Sequence, residues 1–197
     1  MTPIKNVAAI VLAAGTSERF GGGNKLLAPF RETTVLGQTI QNIISAGIET
    51  ITLISGYDSK AVSGLATGAG VNVLENRDFK QGMATSIALG IAGLEDDVAG
   101  ALIVLGDMPL VRPKTIRVLC QALSPGQDKK IVVPIMQQKW GNPVLWHQDF
   151  FPMLANLSGH RGAKQIIRSH PEAVLELAVD DPGIHMDLDT REDMDAL

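Results

Sequence analysis

The sequence predicts an α/β fold, a single-domain three-layer α/β/α sandwich built on a mostly parallel sheet. Segments rich in Val and Ile alternate along the chain with segments whose apolar residues recur at helical spacing. The apolar segments are continuous runs rather than alternating patterns, which indicates strands that are buried on both faces. Helices that cover both faces of a parallel sheet account for these observations.

Five predicted strands and three predicted helices make up most of this pattern. The strands lie within the runs VAAIVLAAG, ETITLISG, VNVLEN, GALIVLGD and KKIVVPIM. The clearest helix covers residues 35–46, where five apolar side chains share one face and Gly47 follows as a stop signal. Residues 83–94 and 114–123 have the same spacing, the second with Pro113 at a favourable first helical position. The pattern is less regular in the C-terminal third.

The composition predicts one domain over residues 1–197. At 197 residues and 45% hydrophobic, the chain can bury a sizeable core. Because 17 Lys and Arg face 21 Asp and Glu, the net charge of −4 gives no general attraction to nucleic acid or to an anionic membrane surface. The one cysteine, Cys120, cannot form an internal disulfide, and the N-terminal residues lack a secretory signal pattern. We therefore expect a cytoplasmic protein with no nucleic-acid and no membrane partner.

The stretch VLAAGTSERFGGGNKL, residues 11–26, follows the first predicted strand. In an open parallel sheet, ligands bind beyond the carboxyl ends of the strands, and the loop after the first strand commonly holds phosphate. Its glycines let backbone N–H groups approach phosphate oxygens, and Arg19 and Lys25 supply positive charge. The loop matches neither GxxxxGK[ST] nor GxGxxG, which disfavours a Walker NTPase and a standard dinucleotide fold. Taken alone, it is equally compatible with a flexible surface loop that carries two solvated cations.

Carboxylates stand at two further positions that suit a metal site. Asp107 directly follows a strongly apolar predicted strand, and Mg²⁺ commonly takes one or two carboxylates together with substrate phosphates. A turn-forming Asp before Pro109 is the alternative. Asp187 and Asp189 would share one face of an extended segment. For Asp189 the alternative is to cap a final helix, a position that Thr190 also suits.

Six motifs in order resemble the MobA-like nucleotidyltransferase family, which is typified by the molybdenum cofactor guanylyl- and cytidylyltransferases. They are LAAGTSERFGGGNKLL, GMATSI, LGDMP, GNPVLW, GHRGAKQII and DLDTREDM. The combination of LAAG with GDMP is more similar to the cytidylyltransferases than to the guanylyltransferases, which have LAGG. Ala14 therefore bears on the choice of base. The resemblance implies a Rossmann-like fold of the nucleotide-diphospho-sugar-transferase type.

The resemblance also implies a reaction, in which Mg²⁺-dependent transfer of CMP from CTP to the molybdopterin cofactor releases pyrophosphate. It matches Asp107 and Asp189 with the metal ligands and leaves Asp187 as the weaker candidate. Lys25 and Arg19 would hold the triphosphate and stabilise the leaving pyrophosphate, so that Lys25, Arg19 and Asp107 form the catalytic group. The implied nucleotide-binding positions are Leu12, Ala13, Ala14, Gly15, Lys25, Gly82, Ser86 and Asp107.

Three motifs raise questions about the base and the acceptor. In GMATSI, Thr85 and Ser86 could cap the helix that begins there, whereas the resemblance places Gly82 and Ser86 near the base. In GNPVLW, Asn142 stands where the family more often has His and is expected to line the acceptor pocket, while Trp146 is expected in the core. In GHRGAKQII, the cations at positions 161 and 164 suit a phosphate of the second substrate or a solvated helix face. These two cations are Arg161 and Lys164.

Other functions remain open from the sequence. One is a guanylyl or other NTP transferase that acts on another phosphorylated acceptor. Another is a maturation factor that binds the cofactor and hands it to a molybdenum hydroxylase apoenzyme. A third is a related protein with oxidoreductase activity, which the lack of GxGxxG disfavours. Base choice in particular depends on a few contacts that a sequence does not rank.

Overall fold

The structure, a computed structural model, describes residues 6–66, 70–123, 128–159 and 162–195. The strands in these ranges are β1 Val7–Ala13, β2 Pro29–Phe30, β3 Thr33–Thr34, β4 Thr50–Ser55, β5 Asn72–Glu75, β6 Gly100–Leu105, β7 Ile131–Met136, β8 Lys139–Trp140, β9 Val144–His147 and β10 Val174–Ala178. The α-helices are α1 Val35–Ala46, α2 Ser59–Ala66, α3 Met83–Ala92, α4 Pro113–Ala122, α5 Phe151–Ala155, α6 Lys164–Ser169 and α7 Arg191–Asp195.

Eight strands form one sheet, which confirms the predicted α/β fold with a mostly parallel sheet. The strand order is β10, β7, β9, β6, β1, β4 and β5, and β8 pairs with β7. β1 pairs in parallel with both β4 and β6, and β7 pairs in parallel with β10. β9 is antiparallel to β6 and β7. The carboxyl ends of β4, β1 and β6 therefore meet at one edge of the sheet.

β1 is buried at all seven positions because helices pack on both faces of the sheet. Successive side chains of a strand point to opposite faces, so this strand contributes to two cores. Val11 packs with residues of α1, α2 and α4 in one core, and Ile10 packs with residues of α3, α5 and α6 in the other. The two cores confirm burial of the strands on both faces and give the three layers of the sandwich.

The bounds of α1 agree with the prediction because local signals set both ends. The hydroxyl of Thr34 accepts a hydrogen bond from the N–H of Gly37 at 3.1 Å, and Gly47 ends the helix at a φ of 95°. α3 ends before the predicted residue 94, and α4 begins at Pro113, one position before the prediction. In the part of the chain that is described, no helix is long and apolar enough to cross a membrane.

Candidate functional site

Two adjoining clefts open at the edge of the sheet where β1 and β6 end. Cleft A, of about 430 Å³, contains the loop after β1, and cleft B, of about 290 Å³, lies beside it. Met83 and Leu105 line both clefts. Every position predicted to act in catalysis, nucleotide binding or metal binding lines cleft A: Leu12, Ala13, Ala14, Gly15, Arg19, Lys25, Gly82, Ser86, Asp107 and Asp189.

The loop after β1 folds back so that the side chain of Lys25 lies on the wall of cleft A. A short 3₁₀ helix at Glu18–Phe20 is followed by Gly21, Gly22 and Gly23, which all have positive φ. Few other residues adopt that conformation without strain. The buried side chain of Asn24 then caps a second 3₁₀ helix by accepting the N–H of Leu26 at 3.1 Å. Lys25 begins that helix and reaches the cleft.

The ammonium group of Lys25 joins two carboxylates in cleft A. Its Nζ lies 2.5 Å from Asp107 Oδ2 and 2.6 Å from Asp189 Oδ1. Arg19 reaches the second carboxylate from the rim, with Nη2 2.7 Å from Asp189 Oδ2. The side chain of Lys25 is 14% exposed and that of Arg19 is 75% exposed, so Lys25 is held in place whereas Arg19 is largely solvated.

A third carboxylate completes an acidic cluster that fits a divalent cation. Leu188 is buried, and its N–H donates to the carbonyl oxygen of Asp107 at 3.0 Å. Its neighbours Asp187 and Asp189 therefore both reach cleft A, and oxygen atoms of the three carboxylates lie within 4.8 Å of one another. Asp107 Oδ1 is buried and accepts no hydrogen bond within the described residues. Closely grouped carboxylate oxygens are the ligands that Mg²⁺ and Mn²⁺ prefer.

Burial and ion pairing shift the protonation equilibria at this cluster. Burial raises the pKa of Asp107, and nearby Asp187 adds to that effect, although Lys25 opposes it. Burial alone would lower the pKa of Lys25, but the attraction of Asp107 and Asp189 outweighs it and raises that pKa above 10.5. Lys25 is therefore a cation at neutral pH, the state needed to bind phosphate oxygens.

The side chains that cap α7 are separate from the acidic cluster. Thr190 Oγ1 accepts the N–H of Asp193 at 3.2 Å, and Asp193 Oδ2 accepts the N–H groups of Thr190 and Asp189 at 2.8 and 3.0 Å. These hydrogen bonds, chiefly those with Thr190, lower the pKa of Asp193. Thr190 thus caps α7, and the side chain of Asp189 faces Lys25.

The turn before α3 supplies a wall of cleft A, and neither hydroxyl of GMATSI caps the helix. Gly82 precedes α3 with a φ of 110°, and the hydroxyl of Thr85 donates to the Gly82 carbonyl at 2.9 Å. Ser86 is buried and lines cleft A. The capping alternative for Thr85 and Ser86 was therefore wrong, because both side chains are held by Asn76, which the sequence reasoning missed. The signal that could have identified Asn76 is a polar residue at the end of the run VNVLEN, which was predicted to contain a strand.

Cleft B contains those residues predicted to bind the acceptor that lie in the described part of the chain. Asn142 and Lys164 line it, together with Trp140 and several apolar residues. Trp146 also contributes to the wall and is 1% exposed, as expected for a core residue. Arg161 lies outside the described residues. The sequence reasoning did not identify Lys80, a further cation on the wall of cleft A that precedes the GMATSI motif.

Comparisons with known proteins match most of the chain. The profile of the MobA-like NTP transferase domain covers residues 9–174. Nicotine blue oxidoreductase of Paenarthrobacter nicotinovorans is 26% identical over 198 residues, which cover 98% of this chain and 97% of that protein. The crystal structure of Rv0371c from Mycobacterium tuberculosis H37Rv is 32% identical, has a TM-score of 0.84 and covers 96% of both chains. A structure of Rv0371c complexed with manganese is 31% identical, with a TM-score of 0.81 and 97% coverage of both chains.

Proposed function

Since the chain belongs to the MobA-like NTP transferase family, we propose that it is a nucleotidyltransferase that transfers CMP from CTP to the molybdopterin cofactor. The observation that carries the proposal is the bridge of Lys25 between Asp107 and Asp189 on the wall of cleft A. The bridge places a protonated amine and the grouped carboxylates beside the glycine-rich loop that follows β1. That arrangement suits a triphosphate with its divalent cation.

The chemistry is an exchange of one phosphoanhydride bond for another. An oxygen of the acceptor phosphate bonds to the α-phosphorus of the NTP, and the bond from that phosphorus to pyrophosphate breaks. Charge accumulates on phosphate oxygens, so the protein has mainly to position the groups and neutralise them. Lys25 and Arg19 bind these oxygens, and Lys25 stabilises the leaving pyrophosphate.

The acidic cluster is where a divalent cation would be held. Asp107 and Asp189 are its proposed ligands, and Asp187 is close enough to be a third. Such a cation supplies Lewis-acid neutralisation of phosphate oxygens when bound. We propose Mg²⁺ as the ion in the reaction, and the manganese complex of Rv0371c makes Mn²⁺ the second ion to test.

Under this proposal, the nucleotide binds in cleft A and the acceptor binds in cleft B. In cleft A, the backbone of residues 12–15 and the wall formed by Gly82 and Ser86 would hold the nucleotide. The LAAG form of the first motif, with Ala14, favours CTP. Cleft B combines the ring of Trp140 with Asn142 and Lys164, which suits a flat heterocycle that carries a phosphate. The recipient of the product would be a molybdenum hydroxylase apoenzyme.

The match with nicotine blue oxidoreductase supports a second candidate, because it spans nearly the whole of both chains. Under this candidate the chain would reduce a dye such as nicotine blue. The two functions differ in what they consume, since a transferase releases pyrophosphate from an NTP and an oxidoreductase consumes a reduced nucleotide.

The test is an assay of pyrophosphate release. The purified protein is incubated with Mg²⁺ or Mn²⁺, each of the four NTPs in turn and the molybdenum cofactor. Release is expected with CTP, and Asp107→Asn should abolish it. Asp96→Asn is the matched control, because Asp96 is an exposed acid before the amino end of β6, away from the clefts.

Each other result selects a different function. Release with GTP in place of CTP would retain the chemistry and overturn the base assignment. No release with any NTP, together with bleaching of nicotine blue by a reduced nicotinamide nucleotide, would favour the oxidoreductase. Tight binding of the cofactor without either activity would favour the maturation factor.

A further inference from the structure

The side-chain amide of Asn76 has an orientation that its neighbours fix. Asn76 directly follows β5 and is 4% exposed. Its Oδ1 accepts the backbone N–H of Asp78 at 2.9 Å. A backbone N–H can only donate, so the amide oxygen must face Asp78 and the amide nitrogen must face α3. That nitrogen lies 2.8 Å from Thr85 Oγ1 and 2.9 Å from Ser86 Oγ.

The amide in turn fixes the roles of the two hydroxyl groups. An amide nitrogen only donates, so the oxygens of Thr85 and Ser86 both accept its hydrogens. Thr85 passes its own hydrogen to the carbonyl of Gly82 at 2.9 Å. Within the described ranges, Ser86 Oγ has a hydrogen bond only with Asn76. Because Ser86 is 4% exposed and lines cleft A, its hydrogen remains for a group bound there.

We propose that Asn76 is a positioning residue that orients Ser86 to donate a hydrogen bond to the nucleotide base. By holding the Ser86 oxygen as an acceptor, it makes the hydroxyl a hydrogen-bond donor toward cleft A. A buried donor that is left unpaired is costly, so the site favours a base edge that presents acceptors, such as O2 and N3 of cytosine. This inference rests on the proposed binding of CTP in cleft A.

Two substitutions of Asn76 separate this role from a structural one. Asn76→Asp keeps the shape of the side chain and the oxygen that accepts the N–H of Asp78. Its second carboxylate oxygen, however, accepts the hydroxyl hydrogen of Ser86. The Ser86 oxygen then presents only lone pairs to cleft A. Asn76→Ala removes the contact and leaves the hydroxyl free to rotate, so that it can still donate. Positioning therefore predicts weaker CTP binding in Asn76→Asp than in Asn76→Ala. A purely structural role predicts the reverse order, because Ala removes the acceptor for Asp78 and leaves a cavity.

The experiment is titration calorimetry of the full chain with CTP and Mg²⁺. Inorganic triphosphate, which has no base, is titrated in parallel and measures the effect of the added charge. After that correction, Asn76→Asp should raise the Kd for CTP by about 10-fold or more, and Asn76→Ala by less. Ser86→Ala should also weaken CTP binding, and Asn76→Asp should add little further loss in that background.

The outcomes separate this inference from the proposed function. Binding of CTP that is unchanged in Asn76→Asp, that is weaker in Asn76→Ala than in Asn76→Asp, or that is equally sensitive to Asn76→Asp without Ser86 would overturn the positioning role alone. Wild-type protein that binds no nucleotide would overturn the proposed function as well. If Asn76→Asp does not fold, the other two variants decide, since Ser86→Ala must then weaken CTP binding more than Asn76→Ala does.

Discussion

At the scale of single residues, charge organises cleft A. Lys25 lies between Asp107 and Asp189, so one amine attracts two carboxylates that would otherwise only repel each other. These are also the carboxylates that suit a divalent cation. Lys25 and a cation therefore compete for the same oxygen atoms, whereas Lys25 and a triphosphate attract each other.

Replacing Lys25 should separate metal binding from catalysis. Lys25→Met removes the competing cation, so we expect Mn²⁺ to bind about 10-fold more tightly, measured by calorimetry. Nucleotidyl transfer should fall by about 10²-fold or more, because the leaving pyrophosphate loses its cation. Lys130→Met is the matched control, since Lys130 pairs with Asp149 at 3.3 Å outside both clefts. Unchanged or weaker Mn²⁺ binding in Lys25→Met would refute the competition.

The buried thiol of Cys120 should be inert in the folded protein. Burial raises its pKa to about 12 from an ordinary value of 9.0. At pH 9 only about one thiol in 10³ is then ionised, so a thiol reagent should label it in urea and hardly at all without urea. The unfolded thiol loses its proton first, so this group lowers the free energy of unfolding as the pH rises from 9 to 12. That pH dependence should be absent in Cys120→Ala, and rapid labelling of the native protein would contradict the assignment.

Apart from Lys80, the sequence predicted the charged residues of cleft A, because each one follows a recognisable strand or belongs to a motif. Asp107 is an example, since its strand is a continuous apolar run. Asn76 also follows a strand, but its function depends on how closely α3 packs beside β5, a distance that no local pattern encodes. No local pattern predicts the junction of the two clefts either, because Met83 and Leu105, which line both clefts, are far apart in sequence.

At the scale of elements, the segment before α7 determines where the second and third carboxylates stand. Asp181 is 1% exposed and accepts hydrogen bonds from the N–H of Arg112 at 2.9 Å and the hydroxyl of Thr115 at 2.6 Å. It thereby ties the segment to the start of α4. Gly183 packs directly on the backbone of Leu110, where an added Cβ would lie 2.3 Å from the carbonyl oxygen.

A side chain at residue 183 should therefore disturb the acidic cluster from a distance. Gly183→Ala forces the segment away from Leu110, so we expect the free energy of unfolding to fall by about 1–3 kcal/mol and Mn²⁺ to bind more weakly. Gly64→Ala is the matched control, because Gly64 lies within α2 and an added Cβ there would meet nothing within 4 Å. It should leave Mn²⁺ binding unchanged and raise stability by up to about 1 kcal/mol. Urea unfolding and calorimetry measure both effects, and equal behaviour of the two variants would contradict the anchoring role.

The elements that the sequence predicted are those with strong local patterns. β1, β4, β5, β6 and β7 were all located, and so were α1, α3 and α4. β2, β3, β8, β9 and β10 were missed, and for β8 and β10 the reasons are physical. β8 has only two residues, and β10 has one buried, two half-buried and two exposed positions. Short or half-exposed strands have little apolar periodicity and are held by pairing with β7.

At the scale of the whole molecule, the sheet joins two cores, and the acidic cluster stands at its edge. Both cores include residues of β1 and β6, so neither can unfold without exposing the other face of the same strands. We expect residues 1–197 to unfold as one domain in a single transition. Tryptophan fluorescence and far-UV circular dichroism should give the same midpoint in urea, and two separate midpoints would contradict a single domain.

The same coupling predicts how a metal ion acts on the whole fold. Because Asp107 comes from β6 and Asp189 from the segment before α7, a divalent cation that binds both should raise the midpoint temperature of the single transition, by an amount that grows with its concentration. Burial raises the pKa of Asp107, whereas the carboxylate of Asp107 raises the pKa of Lys25, so the two groups act on stability at neutral pH in opposite directions. Asp107→Asn should therefore change the midpoint temperature little without metal, and should show no rise with Mg²⁺ or Mn²⁺. A variant that still responds to the ion as the wild type does would show that Asp107 is not a required ligand.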